Sequence, residues 1–305
     1  MLGLKVDVDT LRGTRVGAPQ LARMLSAAGA QATFLFSVGP DRTGRAIRRV
    51  LRRGFIHKVA RTSVLEHYGL RTLLYGTLLP GPHIGRACAS ELRAIRADGF
   101  ETGLHAYDHV EWQDFVAHRD AAWAALELRR GISAYVDVFG HAPKVHGAAG
   151  WQITAAGFEA EAMCDFDYCS DTRGAHPYLP VIPGATAVCA QLPTTLPTLD
   201  ELIGVDGLTA LTAVDRLLAL TAEPPRHGHV FTLHAELEGM RLNAAFSRLL
   251  DGWRAQGYEL VALREMFAAL DIRTLPRHAV KMAPIEGRSG SLMRQGAAVA
   301  APQVN

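Results

Sequence analysis

Leu2-Gly3-Leu4-Lys5-Val6-Asp7-Val8-Asp9-Thr10 decides how this chain is read. A short apolar run ends in two carboxylates, with Lys5 its single basic residue. On an extended strand, residues two apart project from the same face, roughly 7 Å apart along the backbone. Asp7 and Asp9 would then stand side by side at a strand's C-terminal end, where α/β folds place their chemistry. One suits a metal ligand and the other a proton acceptor. The plainer alternative makes Asp9-Thr10 the opening of a turn and Asp7 a solvated carboxylate.

Outward from this strand the chain alternates. Leu21, Met24, Leu25 and Ala28 recur at helical spacing before Gly29, and Ala32 to Phe36 follows as a buried strand. Further units pair a helix over Ala87–Ala97 with a strand over Phe100–Leu104, and a helix over Asp120–Arg130 with a strand near Val145. Ile153–Ala160 precedes Asp165–Cys169, Leu211–Thr221 precedes Val230–Leu233, and a helix over Leu242–Gln256 precedes Tyr258–Val261, with a last helix over Leu263–Leu270. Such alternation predicts an α/β fold with a parallel sheet covered by helices. Candidate polar residues fall at the ends of several strands, which favours a distorted (β/α) barrel over an open sheet. One domain is expected over 1–272, and 273–305, which is small, basic and aperiodic, is expected to be a disordered tail.

With 305 residues, 49% of them apolar, the chain has ample material for a core. Cys88, Cys164, Cys169 and Cys189 match neither a zinc-finger spacing nor a disulfide framework, so reduced thiols in the cytoplasm are expected. The N-terminus enters a strand directly, without the pattern of an export signal. No stretch reaches the roughly 18 to 20 apolar residues of a spanning helix.

The net charge of +2 hides a local asymmetry. An insertion at about 40–86 carries Arg42, Arg45, Arg48, Arg49, Arg52, Arg53, Lys58, Arg61 and Arg71 against Asp41 and Glu66. Ile47, Val50, Leu51, Phe55, Ile56 and Val59 fall between them at near-helical intervals, and an apolar run from Leu70 to Leu79 follows. A basic amphipathic helix of this kind suits an anionic lipid surface or a lipid phosphate, with Arg48, Arg49, Arg52 and Arg53 as the contacting charges. A solvated helix face and a nucleic-acid patch are the alternatives, the latter disfavoured by the lack of aromatic residues at stacking intervals.

His105-Ala106-Tyr107-Asp108-His109 follows a strand, and an H-x-x-x-H spacing brings two imidazoles to one side of a helical turn. Two histidines and one carboxylate form an open ligand set with room for an activated water; zinc is the first expectation, with manganese, cobalt or iron acceptable. His234 closes the strand Val230–Leu233, either as a hydrogen-bonded structural residue or as the acid that protonates a leaving amine. Glu236 and Glu238 read as loop or surface carboxylates. Asp171 could orient a histidine and Arg173 could hold a carboxylate or phosphate, unless the two form a salt bridge within their turn.

Together these motifs resemble the polysaccharide deacetylase superfamily, also called the NodB-homology or carbohydrate esterase family 4 group. The resemblance implies a metal-dependent amidohydrolase in which Asp9, His105 and His109 are ligands, Asp7 is the base and His234 the acid. The family's Arg-x-Pro-Tyr motif is missing where Val145-His146-Gly147-Ala148-Ala149-Gly150-Trp151 stands, which leaves Arg173 as the candidate to orient the base. Longer strings are similar to the lipid-linked formamido-sugar deformylases of Gram-negative bacteria: Asp7–Thr10 with Arg12–Arg15, Phe36–Asp41, Gly103–Ala106, Ala148–Trp151, Ser170–Gly174 and His234–Gly239. That similarity implies removal of formyl from 4-deoxy-4-formamido-L-arabinose on undecaprenyl phosphate, in lipid A modification and polymyxin resistance, by a peripheral enzyme at the cytoplasmic face of the inner membrane with no nucleic-acid partner. The rival expectations are a soluble N-deacetylase of peptidoglycan or chitin-like sugars, and a non-catalytic lipid- or nucleic-acid-binding module.

Overall fold

β1 (Leu2–Val8) is buried along its whole length and lies at the centre of the sheet. Its apolar side chains alternate with Gly3, Lys5 and Asp7, so one face feeds the core while the other lines the interior of the fold. The computed structural model describes residues 1–46, 72, 74–185, 188–288 and 290–300. The chain runs from β1 through α1 (Ala18–Ala27) to β2 (Thr33–Ser37), then α2 (Ile84–Ala87) and α3 (Ala89–Ala97) to β3 (Glu101–Ala106). α4 (His109–Phe115) and α5 (Ala121–Phe139) lead to β4 (Val145–His146), and α6 (Ala155–Ala162) to β5 (Tyr168–Cys169) and β6 (Leu179–Val181). After α7 (Leu199–Leu202) and α8 (Ala210–Leu220) come β7 (His229–His234), α9 (Asn243–Ala255), β8 (Leu260–Val261) and α10 (Leu263–Ala268).

The main sheet runs β5-β4-β3-β2-β1-β7, with β8 also on β1, and every pair is parallel. Among the described residues the two end strands, β5 and β7, do not pair with each other, so the barrel stays incompletely closed. This is the distorted (β/α) barrel that the alternation predicts. Local signals set the helix ends: the Asp120 carboxylate accepts from the Trp123 amide at the start of α5, and Gly140, at φ +77°, ends it. The register matters for chemistry, because Asp7 lies opposite both Leu35 on β2 and His234 on β7.

The tail expectation is overturned. β9 (Arg277–Pro284) and β10 (Ser291–Ala298) form an antiparallel hairpin that extends β6 into a three-stranded sheet. Of its side chains, Leu292 and Met293 are buried, while most of the others reach solvent. The backbone ladder holds this hairpin, so its sequence lacks the hydrophobic period that marks a core strand. Residues 301–305 lie outside the described residues, as do Arg48, Arg49, Arg52 and Arg53 and nearly all of the basic segment. No helix among the described residues is long and apolar enough to cross a membrane.

After β1 the backbone makes a wide turn over Gly13–Gly17 that lies flat against the loop following β7. A Cβ on Gly17 would collide with the Ala235 carbonyl oxygen, which is backbone and cannot yield cheaply. Gly17→Ala is therefore expected to lower stability by about 1–3 kcal/mol, visible as a drop of several degrees in Tm. An unchanged melting curve would show that these two loops are free to separate.

Candidate active site

Asp9, just past β1, meets two imidazoles. Its Oδ1 lies 3.3 Å from His105 Nε2 and 3.4 Å from His109 Nε2, and the His rings are 5.3 Å apart between centroids. The expected placement of both histidines on one helical turn does not hold: His105 is in β3, whereas His109 is the first residue of α4. Asp108 caps that helix by accepting the Glu111 amide, and the strand-to-helix corner swings His109 back toward His105. Nδ1 of His105 lies 2.6 Å from the Gly147 carbonyl, an acceptor that requires the Nδ1–H tautomer and leaves the Nε2 lone pair toward Asp9.

These three donors fit a divalent cation. Asp9 Oδ1 is buried with no hydrogen-bond partner, and the two free imidazole lone pairs converge on it. Burial would raise the Asp9 carboxyl, but the neighbouring His109 and His105 rings outweigh it and hold the group well below the usual carboxylate range. Burial pushes His109 down to about 4 against the pull of Asp9, which keeps the imidazole neutral and able to ligate.

Asp7 sits beside this set, its Oδ1 3.9 Å from His105 Nδ1 and without a hydrogen-bond partner. Its other oxygen is 3.5 Å from Lys5 Nζ. Lys5 is fully buried, crosses the barrel interior to donate to the Ser170 carbonyl at 3.0 Å, and passes over Trp151. Lys5 therefore supplies the cation beside Asp7 that Arg173 was expected to supply. Arg173 instead donates to both oxygens of Glu201, at 2.7 and 2.9 Å, and to the Leu196 carbonyl. The sign of Lys5 was in the sequence, as a lysine on the same face of an apolar strand as Asp7.

His234 faces the site from β7, with Nδ1 4.0 Å from Asp200 Oδ1 and the Trp151 ring edge-on to it. Burial disfavours its charged form, yet Asp200, then Asp9 and Asp7, push it up to about 9. Sequence reading missed Asp200, which sits in the capping box Thr198-Leu199-Asp200-Glu201 of a short helix without core periodicity. Glu236 and Glu238 are buried, not surface carboxylates. Glu236 accepts from the amides of Asp9 and Thr10 and from the Thr10 hydroxyl, fixing the turn that carries Asp9. Burial, with Asp9 nearby, pushes its carboxyl up from the usual range. Glu238 accepts the His234 amide.

Asp171 orients a histidine, though not one at this site. It contacts His146 Nδ1 at 3.2 Å and accepts from the Ala148 amide and Gln191, while Glu161 lies 2.6 Å from the same His146 nitrogen. The Asp171–Arg173 salt bridge is absent among the described contacts. What Asp171 does for the site is indirect: it anchors Ala148, next to the Gly147 carbonyl that holds His105.

An incomplete parallel (β/α) barrel with this Asp-His-His set at its strand ends defines an amidohydrolase of the polysaccharide deacetylase type. A protein described as a polysaccharide deacetylase from Mycobacterium smegmatis superposes on it with a TM-score of 0.63 at 17% identity, covering 93% of this chain and 94% of the other. No protein-family model matches the chain. The probable 4-deoxy-4-formamido-L-arabinose-phosphoundecaprenol deformylase ArnD of Shewanella sediminis (strain HAW-EB3) is 34% identical over 98% of this chain and 95% of its own length. The protein of the same name from Wigglesworthia glossinidia brevipalpis is 28% identical over 93% and 98%. The chain belongs to this deformylase family.

The Asp200–His234 pair has a pH consequence. If protonated His234 is the working acid, activity falls as pH rises through its titration, and Asp200 is the largest influence holding that titration high. Asp200→Asn is expected to shift the alkaline limb of the kcat/KM profile downward by about one pH unit, a limb that stays in place if Asp200 does not act on His234.

Proposed function

We propose that this protein hydrolyses the formamide of 4-deoxy-4-formamido-L-arabinose carried on undecaprenyl phosphate, giving formate and the free amino sugar. The convergence of Asp9, His105 and His109 beside Asp7 and His234 carries this reading, and membership of the deformylase family supports the substrate. Asp9, His105 and His109 would hold one divalent ion, zinc by first expectation, with manganese, cobalt or iron compatible with the same donors. When bound, the ion would polarise the formyl oxygen and make an adjacent water more acidic.

Asp7 takes the proton from the attacking water. Lys5, fixed by the Ser170 carbonyl, places its ammonium 3.5 Å from the Asp7 carboxylate and so orients it. His234, beside Asp200, hands its proton to the nitrogen as the C–N bond breaks. Asp7 and His234 are neighbours in the strand register, so base and acid flank one substrate position. The product amine belongs to lipid A modification, where an added positive charge weakens binding of cationic peptides such as polymyxin. The protein would work peripherally at the cytoplasmic face of the inner membrane, with the basic segment on anionic lipid and no nucleic acid bound.

Formate release from the lipid-linked sugar, lost with a chelator and restored by added metal, is the direct test. His105→Ala is expected to reduce kcat/KM by at least about 100-fold and to lower bound metal. Preferential hydrolysis of N-acetylglucosamine oligomers would favour a polysaccharide N-deacetylase, and retained metal in His105→Ala would refute the ligand set. For the membrane, charge reversal at Arg48, Arg49, Arg52 and Arg53 is expected to reduce cosedimentation with anionic liposomes; equal sedimentation of variant and wild type would remove the peripheral contact.

A further inference from the structure

Three cations surround the Trp151 ring beside His234: Lys5 at 5.2 Å, Arg173 at 5.0 Å and Arg288 at 4.6 Å from its centroid. Lys5 is directed at Asp7 and Arg173 is saturated by Glu201 and the Leu196 carbonyl. Arg288 differs from both. Its side chain is 24% exposed, against 9% for Arg173 and none for Lys5, so of the three it alone reaches solvent appreciably.

Its charge is held in place without being consumed. Glu201 Oε1 is 3.6 Å from Arg288 Nη1, beyond hydrogen-bond length, and that oxygen already accepts from Arg173. The second Glu201 oxygen accepts from Arg173 and from the Thr198 amide. Hydrolysis of a neutral amide gives no reason for a further guanidinium here. An anionic part of the substrate does.

The support beneath Arg288 is built. It lies in the turn between β9 and β10, and that hairpin is fastened to the barrel by Arg173 N–H to the Met293 carbonyl at 3.0 Å and Gln295 N–H to the Arg173 carbonyl at 2.8 Å. Gln152 adds a bond to the Ser291 carbonyl at 2.7 Å. Gly287, at φ +76°, brings the turn so close to Glu201 that a Cβ would collide with the Glu201 carbonyl oxygen. Gly150 leaves space on the other side, since a Cβ there would lie 3.3 Å from Arg288 Nη2.

We propose that Arg288 is an anion-binding subsite at the mouth of the catalytic centre, receiving the phosphate that joins the sugar to its lipid. This rests on the substrate reading given above and adds the group that reads the phosphate. A guanidinium offers paired donors matched to two phosphate oxygens, and stacking on Trp151 fixes the plane of that fork. The lipid chain would then leave the barrel on the side of the C-terminal hairpin.

The test uses the full-length, metal-loaded protein and undecaprenyl phosphate in detergent micelles, with undecaprenol micelles as the phosphate-free control. Arg288→Ala is expected to weaken undecaprenyl phosphate binding by about tenfold or more, and Arg288→Lys by less, with undecaprenol binding unchanged. On the lipid-linked substrate, Arg288→Ala raises KM and leaves kcat nearly constant, while a methyl formamido-arabinoside without phosphate is hydrolysed as by wild type. Equal affinity of Arg288→Ala and wild type for undecaprenyl phosphate overturns the proposal. So does an equal loss on substrates with and without phosphate, which would mark Arg288 as a structural partner of Glu201. The binding arm involves no bond cleavage, so it stands or falls apart from formate release.

Discussion

Two carboxylates at the end of a buried central strand set the terms for everything around them. Charge in such a place is costly unless it is paired or binds a cation. The chain meets this requirement in two ways. Asp7 receives Lys5 from its own strand, and Asp9 receives two imidazoles whose lone pairs leave room for an ion. Removing either compensation would leave a buried negative charge unpaired, so the chemistry of the site and the stability of the strand are tied together.

The surrounding loops are locked to keep that arrangement narrow. Glu236 accepts three hydrogen bonds from the Asp9-Thr10 turn, and Glu238 takes the His234 amide, so the loop after β7 braces Asp9 and His234 at once. Glycines at 13 and 17 allow the wide turn after β1 to lie against that loop. On the opposite side, Asp171 and Glu161 clamp His146, and the neighbouring Gly147 carbonyl fixes the tautomer of His105. A histidine orienter thus works here through the backbone, two bonds removed from the ligand it steadies.

Trp151 joins the His234 side of the site to the C-terminal hairpin. Its ring contacts His234 and is flanked by three cations, and its indole N–H donates to the Thr194 hydroxyl. The hairpin that brings Arg288 to this ring is held by backbone pairing with the Arg173 segment. A stretch with little core of its own therefore becomes part of the site's wall.

The sequence by itself determined the alternating order of strands and helices and the parallel barrel, and it brought forward Asp7, Asp9, His105, His109 and His234, which the fold gathers together. Four of these stand at or just past a strand end and His109 opens the helix that follows β3, places that short-range period and turn residues reveal. Tertiary structure alone decided the rest. Whether Lys5 or Arg173 faces Asp7 depends on which side chain can cross the barrel interior, and Arg173 is drawn off by Glu201, a pairing across the fold. Asp200 and Arg288 reach the site from a capping box and a hairpin turn, and neither location carries a hydrophobic period. Burial of Glu236 and Glu238 likewise follows from loop-on-loop packing. Periodicity reports which face of an element meets the core; it says nothing about which distant loops close over the ends of the strands.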